Sequence, residues 1–172
     1  MKKVLVFGGF GFLGHYLIKE LLSRDYKVVV ADIKKENSFD GVVGFTYCDI
    51  SSQNDVKNAF VIENFDIVYN LAGFANLDFA VKEPLKTIQL NIIGNMHILE
   101  ACLTHKVSKF VYASSAYAVS NKGSFYGISK LASEKIIEEY NEKYNLDLEQ
   151  EGFQYDAAQE NAVRHLQRLY DD

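Results

Sequence analysis

The sequence predicts an α/β fold, a parallel sheet with helices on both faces, and two observations carry that prediction. Short apolar, β-branched runs alternate with longer helical patterns over residues 1–148. Such alternation implies parallel strands joined by helical crossovers. The first run, Val4-Leu5-Val6-Phe7, also passes at once into Gly8-Gly9-Phe10-Gly11-Phe12-Leu13-Gly14. This strand–turn–helix satisfies both Gly9-x-Gly11-x-x-Gly14 and Gly8-x-x-Gly11-x-x-Gly14. Backbone N–H groups at such a helix N-terminus point at an anion, and the helix dipole favours it. The expected fold is therefore Rossmann-like, and right-handed crossovers give the strand order 3-2-1-4-5.

Each element follows from its local pattern. Val4–Phe7 reads as the first strand, and Gly11–Arg24 as a helix with Leu13, Leu17, Ile18 and Leu21 at helical spacing. Lys27–Ala31 is a β-branched strand closed by Asp32, Asn37–Gly41 a loop, and Val42–Cys48 a third strand running into Asp49-Ile50. Ser51 or Ser52 caps a helix through Glu63, and Asp66–Asn70 is the fourth strand. A helix is expected from about Glu83 to His105, with Pro84 in its first turn, where a missing N–H costs least. Phe110–Ser114 is the fifth strand and Phe125–Tyr144 a long amphipathic helix. Asn145-Leu146-Asp147-Leu148 then opens like a sixth strand, but Glu149-Gln150-Glu151-Gly152 interrupts it. Tyr155–Tyr170 carries a modest helical stripe of Ala158, Ala162, Val163, Leu166, Leu169 and Tyr170. Composition and periodicity change together here, which divides the chain into a domain at 1–148 and a helical tail at 149–172.

With 172 residues, 48% of them apolar, the chain suits one well-filled domain and is short for two. A net charge of −5 and the lack of a basic stripe argue against nucleic acid as a partner. The Met1-Lys2-Lys3 start meets a strand of only four residues before glycine, which fits neither a signal peptide nor a membrane span. Cys48 and Cys102 form no CxxC or metal-like pattern and read as buried small apolar residues of a reduced, cytoplasmic protein. No metal site is expected; His15, His97, His105 and His165 show no HxH or HxxxH spacing.

The cofactor-binding candidates follow the strand ends. Gly8, Gly11, Phe12, Leu13 and Gly14 form the loop and first helical turn. Asp32, at the end of the second strand, can accept both ribose hydroxyls of NAD and would repel a 2′-phosphate. Lys34 and Lys35 soften that repulsion, so NAD is favoured over NADP without excluding it. Asp49 and Ile50 can meet an adenine, one by hydrogen bond and one by apolar contact; the plain alternative is a strand-to-loop turn. After the fourth strand, Asn70-Leu71-Ala72-Gly73 has small residues that let a backbone approach a ligand closely.

The chemical candidates lie at the other end of the pattern. Tyr126-Gly127-Ile128-Ser129-Lys130 puts a phenol and an ammonium at i and i+4 on one helical face. Alone, such a pair is usually a solvated face. Here it opens the helix after the fifth strand, on the rim where open α/β sheets bind ligands, and Ser114-Ser115 lies on the same rim. A free tyrosine ionises near pH 10, but a neighbouring Lys⁺ and a positive nicotinamide ring both favour the phenolate. Tyr126 can then remove a hydroxyl proton as hydride leaves the same carbon.

These motifs occur in the order seen in extended short-chain dehydrogenases/reductases. Gly8-x-x-Gly11-x-x-Gly14, Asp32, Asp49-Ile50, Asn70-Leu71-Ala72-Gly73, Asn91-Ile-Ile-Gly94, Val111-Tyr-Ala-Ser-Ser115 and Tyr126-x-x-x-Lys130 carry the resemblance over residues 1–148. The branch it most resembles is the NAD-dependent epimerase/dehydratase group acting on nucleotide sugars. The resemblance implies a catalytic Ser115, Tyr126 and Lys130, with Ser114 lining the pocket. It gives Lys130 a bond to the nicotinamide ribose, and it places Asn91 on a helix where it shapes the cofactor site. It also implies a homodimer pairing helices 83–105 and 125–144.

The chain departs from the family at three points. The Ser115-to-Tyr126 interval is short, which trims a substrate-facing loop. Ala116-Tyr117-Ala118-Val119 lacks the Thr-Asp-Glu type triplet of the sugar dehydratases, which favours epimerisation or simple oxidoreduction. The family's second, substrate-binding half does not follow. Three readings stand: an epimerase-type NAD module, its activity without the second half left open; a non-catalytic nucleotide-binding or scaffolding module; and an NADPH-dependent keto-sugar reductase.

Overall fold

A computed structural model describes residues 1–34, 41, 42, 44–120 and 122–145. Lys35, most of the expected 37–41 loop, the sixth-strand run from Leu146 and the tail 149–172 lie outside the described residues. Met1–Tyr140 form one compact unit and Asn141–Asp172 a second.

In the first unit the apolar runs form five parallel strands, β1 (Lys3–Phe7), β2 (Lys27–Asp32), β3 (Gly44–Tyr47), β4 (Ile67–Asn70) and β5 (Lys109–Tyr112). Their order is β3-β2-β1-β4-β5, the order expected. β1 lies in register with both neighbours, Val6 opposite Val30 of β2 and Tyr69 of β4. Alternating side chains feed two cores, as a sheet covered on both faces requires. Leu5, Phe7, Val29, Ala31 and Val68 pack with Val56 and Phe60 of α2 (Gln53–Val61) and Ile98 and Cys102 of α5 (Gly94–Thr104). Val4, Val6, Val28, Val30 and Ile67 pack with Ile18 and Leu21 of α1 (Phe12–Ser23). Cys48 and Cys102 are free and buried, and burial raises both thiols, Cys48 to about 12.

The structure decides between the two cap candidates for α2. Ser52 Oγ accepts the N–H of Asp55, whereas Ser51 is held by Asp49. β3 and β5 are shorter than the runs expected for them, although Cys48 N–H still bonds the Asp32 carbonyl and Ala113 N–H the Asn70 carbonyl, and α2 ends at Val61.

The helix expected at 83–105 is three pieces. α4 (Pro84–Ile88), with Pro84 in its first turn, runs into a π turn (Gln89–Ile93), and α5 follows. The apolar periodicity runs through the bulge and hides it, and π turns of this kind concentrate at functional sites. A short α3 (Leu77–Lys82) precedes them, capped by Asn76. A 3-10 turn (Ala116–Val119) links β5 to the last helix, α6 (Ser124–Asn145).

Candidate functional site

The strand order, running outward through β2 and β3 on one side and β4 and β5 on the other, reverses beside β1, and the crevice outside the strands' carboxyl ends at such a point is where these sheets bind ligands. Three loops meet there. Gly8 has φ +72, and a Cβ on it would lie 2.6 Å from the backbone nitrogen of Ala72. The glycine loop and the Leu71–Gly73 segment are thus in direct contact, a closeness that only glycine permits. A Cβ on Gly14 would lie 2.3 Å from the Gly9 carbonyl oxygen, so α1 begins tight against the loop. Gly11 caps α1 with no side-chain hydrogen bond, and Phe12 and Leu13 in the first turn are exposed. First-turn N–H groups have no intrahelical partner, so this end suits an anion.

Asp32 is buried and fixed by the loop it would serve. Its Oδ2 accepts the N–H of Phe10 at 3.0 Å, and its Oδ1 the N–H of Lys34 at 3.0 Å. A carboxylate offers about four acceptor sites, so capacity for ribose hydroxyls remains. Asp49 and Ile50 make local contacts. Asp49 Oδ1 accepts from the backbone and hydroxyl of Ser51, and Ile50 is buried where a Cβ on Gly94 would come within 2.8 Å of it.

A buried polar chain runs from the Gly73 loop to Tyr126. Asn91, 2% exposed and in the π turn, accepts the N–H of Phe74 and donates to the Phe74 carbonyl and to Ser129 Oγ. Ser129, fully buried, donates to the Tyr126 carbonyl, and Ser133 donates to the Asn91 carbonyl. Both amide protons of Asn91 are therefore engaged within the protein, and they join the Phe74 loop to α6. A Cβ on Gly73 would lie 2.8 Å from Asn91 Oδ1, which ties that glycine to the same chain.

The residues that the sequence marks as chemical candidates lie around the start of α6. Ser115 caps the 3-10 turn, its Oγ accepting the N–H of Tyr117. That turn lies against α6 because Gly123 and Gly127 leave room for it: a Cβ on either would come within 2.6 Å of Tyr117. Tyr117 and Tyr126 meet edge to face, ring centres 6.3 Å apart. Lys130, 7% exposed, donates to the Ala113 carbonyl at 2.8 Å. Its Nζ lies 4.6 Å from the ring centre of Tyr112 and 5.8 Å from that of Tyr126. Burial pulls its ionisation down to about 8, opposed by the charge of Glu134, and burial pushes the Tyr112 phenol up to about 12. Ser114 donates to Glu134.

Sequence reasoning missed Ser129, Ser133, Tyr117 and Glu134. Ser129, Ser133 and Glu134 lie three, seven and eight residues beyond Tyr126, and helical spacing from the phenol would have placed them near its face. Among the described residues no helix is long and apolar enough to cross a membrane, and no group of three or more His, Cys, Asp or Glu could hold a metal.

Comparison with known proteins matches residues 4–148 to the model of the NAD dependent epimerase/dehydratase family. A UDP-glucose 4-epimerase of Mus musculus is 31% identical over 137 residues, which is 70% of this chain and 40% of the relative. Among solved structures, the UDP-glucose 4-epimerase of Thermus thermophilus in complex with NAD matches with TM-score 0.76 and 29% identity, over 83% of this chain and 52% of that one. The Thermotoga maritima UDP-glucose 4-epimerase with UDP-glucose gives TM-score 0.75 and 26% identity, over 83% and 52%. The chain spans about half the length of the solved chains, and from 36% to 52% of the curated relatives.

Proposed function

The chain belongs to the NAD dependent epimerase/dehydratase family, and from that premise we propose that residues 1–148 are the NAD-binding, proton-transferring half of an epimerase-type oxidoreductase for nucleotide sugars. One observation carries the chemical part: a buried lysine cation held beneath Tyr126 on the rim that also bears Ser115. The mouse, Thermus and Thermotoga relatives support the substrate class by their own names.

The crevice fits a dinucleotide. Gly8 and Gly14 leave no space for a Cβ, the first turn of α1 is uncapped by any side chain, and Asp32 is held at the rim. The pyrophosphate would sit against Gly11, Phe12 and Leu13, the adenosine ribose against Asp32, and the nicotinamide half near Ala72, Tyr126 and Lys130. When bound, NAD supplies an acceptor for hydride from the sugar carbon. Tyr126 takes the hydroxyl proton from that carbon's oxygen, leaving a carbonyl, and returns it in the reverse step. Lys130 favours the phenolate by its charge, which burial strengthens. Ser115 Oγ, while accepting from Tyr117, keeps its own proton to donate to the reacting oxygen.

Calorimetry with NAD tests the binding half, and absence of binding at millimolar NAD would overturn it. Tyr126→Phe should keep NAD affinity within about twofold and lower any sugar-dependent NADH signal by on the order of a hundredfold or more. NAD binding without turnover on any nucleotide sugar would leave the binding module and remove the catalytic reading.

The homodimer belongs to the same proposal. Ile93 in the π turn and Ile128 and Leu131 on α6 are large apolar side chains exposed to solvent. Self-pairing would cover them. Light scattering should report twice the chain mass, and Leu131→Glu should reduce it to the single-chain value; a monomeric wild type sinks the dimer.

A further inference from the structure

Tyr126, Lys130 and Glu134 follow one another at successive turns of α6 and lie on one face. The last of them has no part in the chemistry above. It nonetheless meets the segment that carries that chemistry, because Ser114 donates its hydroxyl proton to Glu134 Oε1. Ser114 stands between two residues the site depends on. The Ala113 carbonyl receives Lys130 Nζ, and Ser115 caps the turn that packs against Tyr126. Three consecutive residues after β5 are thus strapped to α6 at two points one turn apart.

We propose that Glu134 is a positioning residue for the proton-transfer group: it pins Ala113–Ser115 through Ser114, and its carboxylate holds the buried Lys130 ammonium cationic from one turn away. The inference rests on the reading of Tyr126 and Lys130 given above. The charge is needed because Lys130 is 7% exposed and its nearest partners are neutral. The groups facing Lys130 are the Ala113 carbonyl and the Tyr112 ring from β5 and its exit, and Tyr126 and Glu134 from α6. Glu134 is the one carboxylate among them, and burial pushes the Tyr112 phenol up. Burial disfavours the ammonium and Glu134 acts against it. Without that charge the lysine would lose its proton closer to the working range and support the phenolate less.

Two substitutions separate the strap from the charge. Glu134→Gln keeps an oxygen that can accept from Ser114 and removes the charge. Ser114→Ala keeps the charge and removes the strap. The readout is an NMR titration of the full chain labelled with 13Cε-lysine, the Lys130 signal being identified by its loss in Lys130→Met. Glu134→Gln should lower the Lys130 midpoint by on the order of one pH unit while the amide signals of Ala113–Ser115 hold still. Ser114→Ala should move those amide signals and shift the midpoint far less. A Lys130 midpoint unchanged in Glu134→Gln overturns the electrostatic role, and unmoved loop signals in Ser114→Ala overturn the strap. The titration needs neither cofactor nor turnover. A wild type that fails to bind NAD therefore counts against the proposed function, while the midpoints still decide the place of Glu134.

Discussion

Gly14→Ala is expected to lower the stability of the fold by about 3 kcal/mol, at the upper end of what one forced methyl group costs. The added Cβ would stand 2.3 Å from the Gly9 carbonyl oxygen, 2.5 Å from its carbon and 2.6 Å from the Gly8 carbonyl oxygen. All three are backbone atoms, so no side chain can swing aside. Relief requires α1 to back away from the loop, and α1 is anchored by Ile18 and Leu21 in the core beneath it. Gly11→Ala is the informative contrast. Its Cβ would meet only the Gly8 carbonyl oxygen, at 3.2 Å, and φ there is −75, which alanine adopts freely. Gly11→Ala should therefore stay within about 1 kcal/mol of wild type. Yet its methyl group enters the space where a pyrophosphate would approach the backbone, so NAD affinity should fall on the order of tenfold or more. Urea unfolding and calorimetry on the two variants separate the glycine that builds the turn from the glycine that clears the ligand's path. Unchanged NAD affinity in Gly11→Ala would move the cofactor away from this loop.

The contrast also shows which parts of the molecule were legible in the sequence. Alternating strand and helix patterns led to the strand order, because a sheet buried on both faces must be built from continuous apolar runs such as Val28-Val29-Val30-Ala31. The glycine spacing gave the loop, since close backbone packing at Gly8 and Gly14 excludes other residues. The polar chain through Asn91 was not legible. Its hydrogen bonds join residues 17, 38 and 42 positions apart, and no local pattern encodes such pairings. The π turn that holds Asn91 escaped for a related reason: a single extra residue barely alters apolar periodicity over a long helix. The Asp49-Ile50 pair reads in sequence as a strand end facing a ligand. What the local pattern does not carry is that Ile50 joins the core and that its carbonyl meets His97 Nδ1. Among the chemical residues, i,i+4 spacing located Lys130 beside Tyr126. Its burial depends on β5 and the Ala113 exit, which only the tertiary structure brings to it.

That burial makes Lys130→Met the sharpest test of a trade between stability and chemistry. Lys130 ionises at about 8 in the fold against an ordinary 10.5, and desolvation is the main cause. The unfolded chain therefore binds the proton more tightly than the folded one. The folded state bears the full cost of that difference below about pH 8, roughly 3 kcal/mol. It is relieved as the pH rises towards 10.5, because stability increases wherever the unfolded state holds more protons. Cys48 and Tyr112 act in the opposite sense. Both are raised to about 12, so the unfolded chain releases their protons first, from about pH 9 for the thiol and 10 for the phenol. Cys102, raised by its own burial, adds to that opposing trend. The wild-type curve should therefore rise between about pH 8 and 9 and then turn over. Subtracting the Lys130→Met curve cancels the thiols and leaves the lysine. The variant should be more stable than wild type at pH 7 by about 1–3 kcal/mol, as expected when an apolar isostere replaces a buried charge. That advantage should shrink by on the order of 1 kcal/mol between pH 8 and 9. Turnover, where present, should be lost at every pH if Tyr126 and Lys130 act as proposed, because the cation that would favour the phenolate is gone. Denaturant unfolding of both proteins from pH 6 to 9 reads this directly. A gap that stays constant with pH would mean that Lys130 is not the group whose proton the fold holds so weakly.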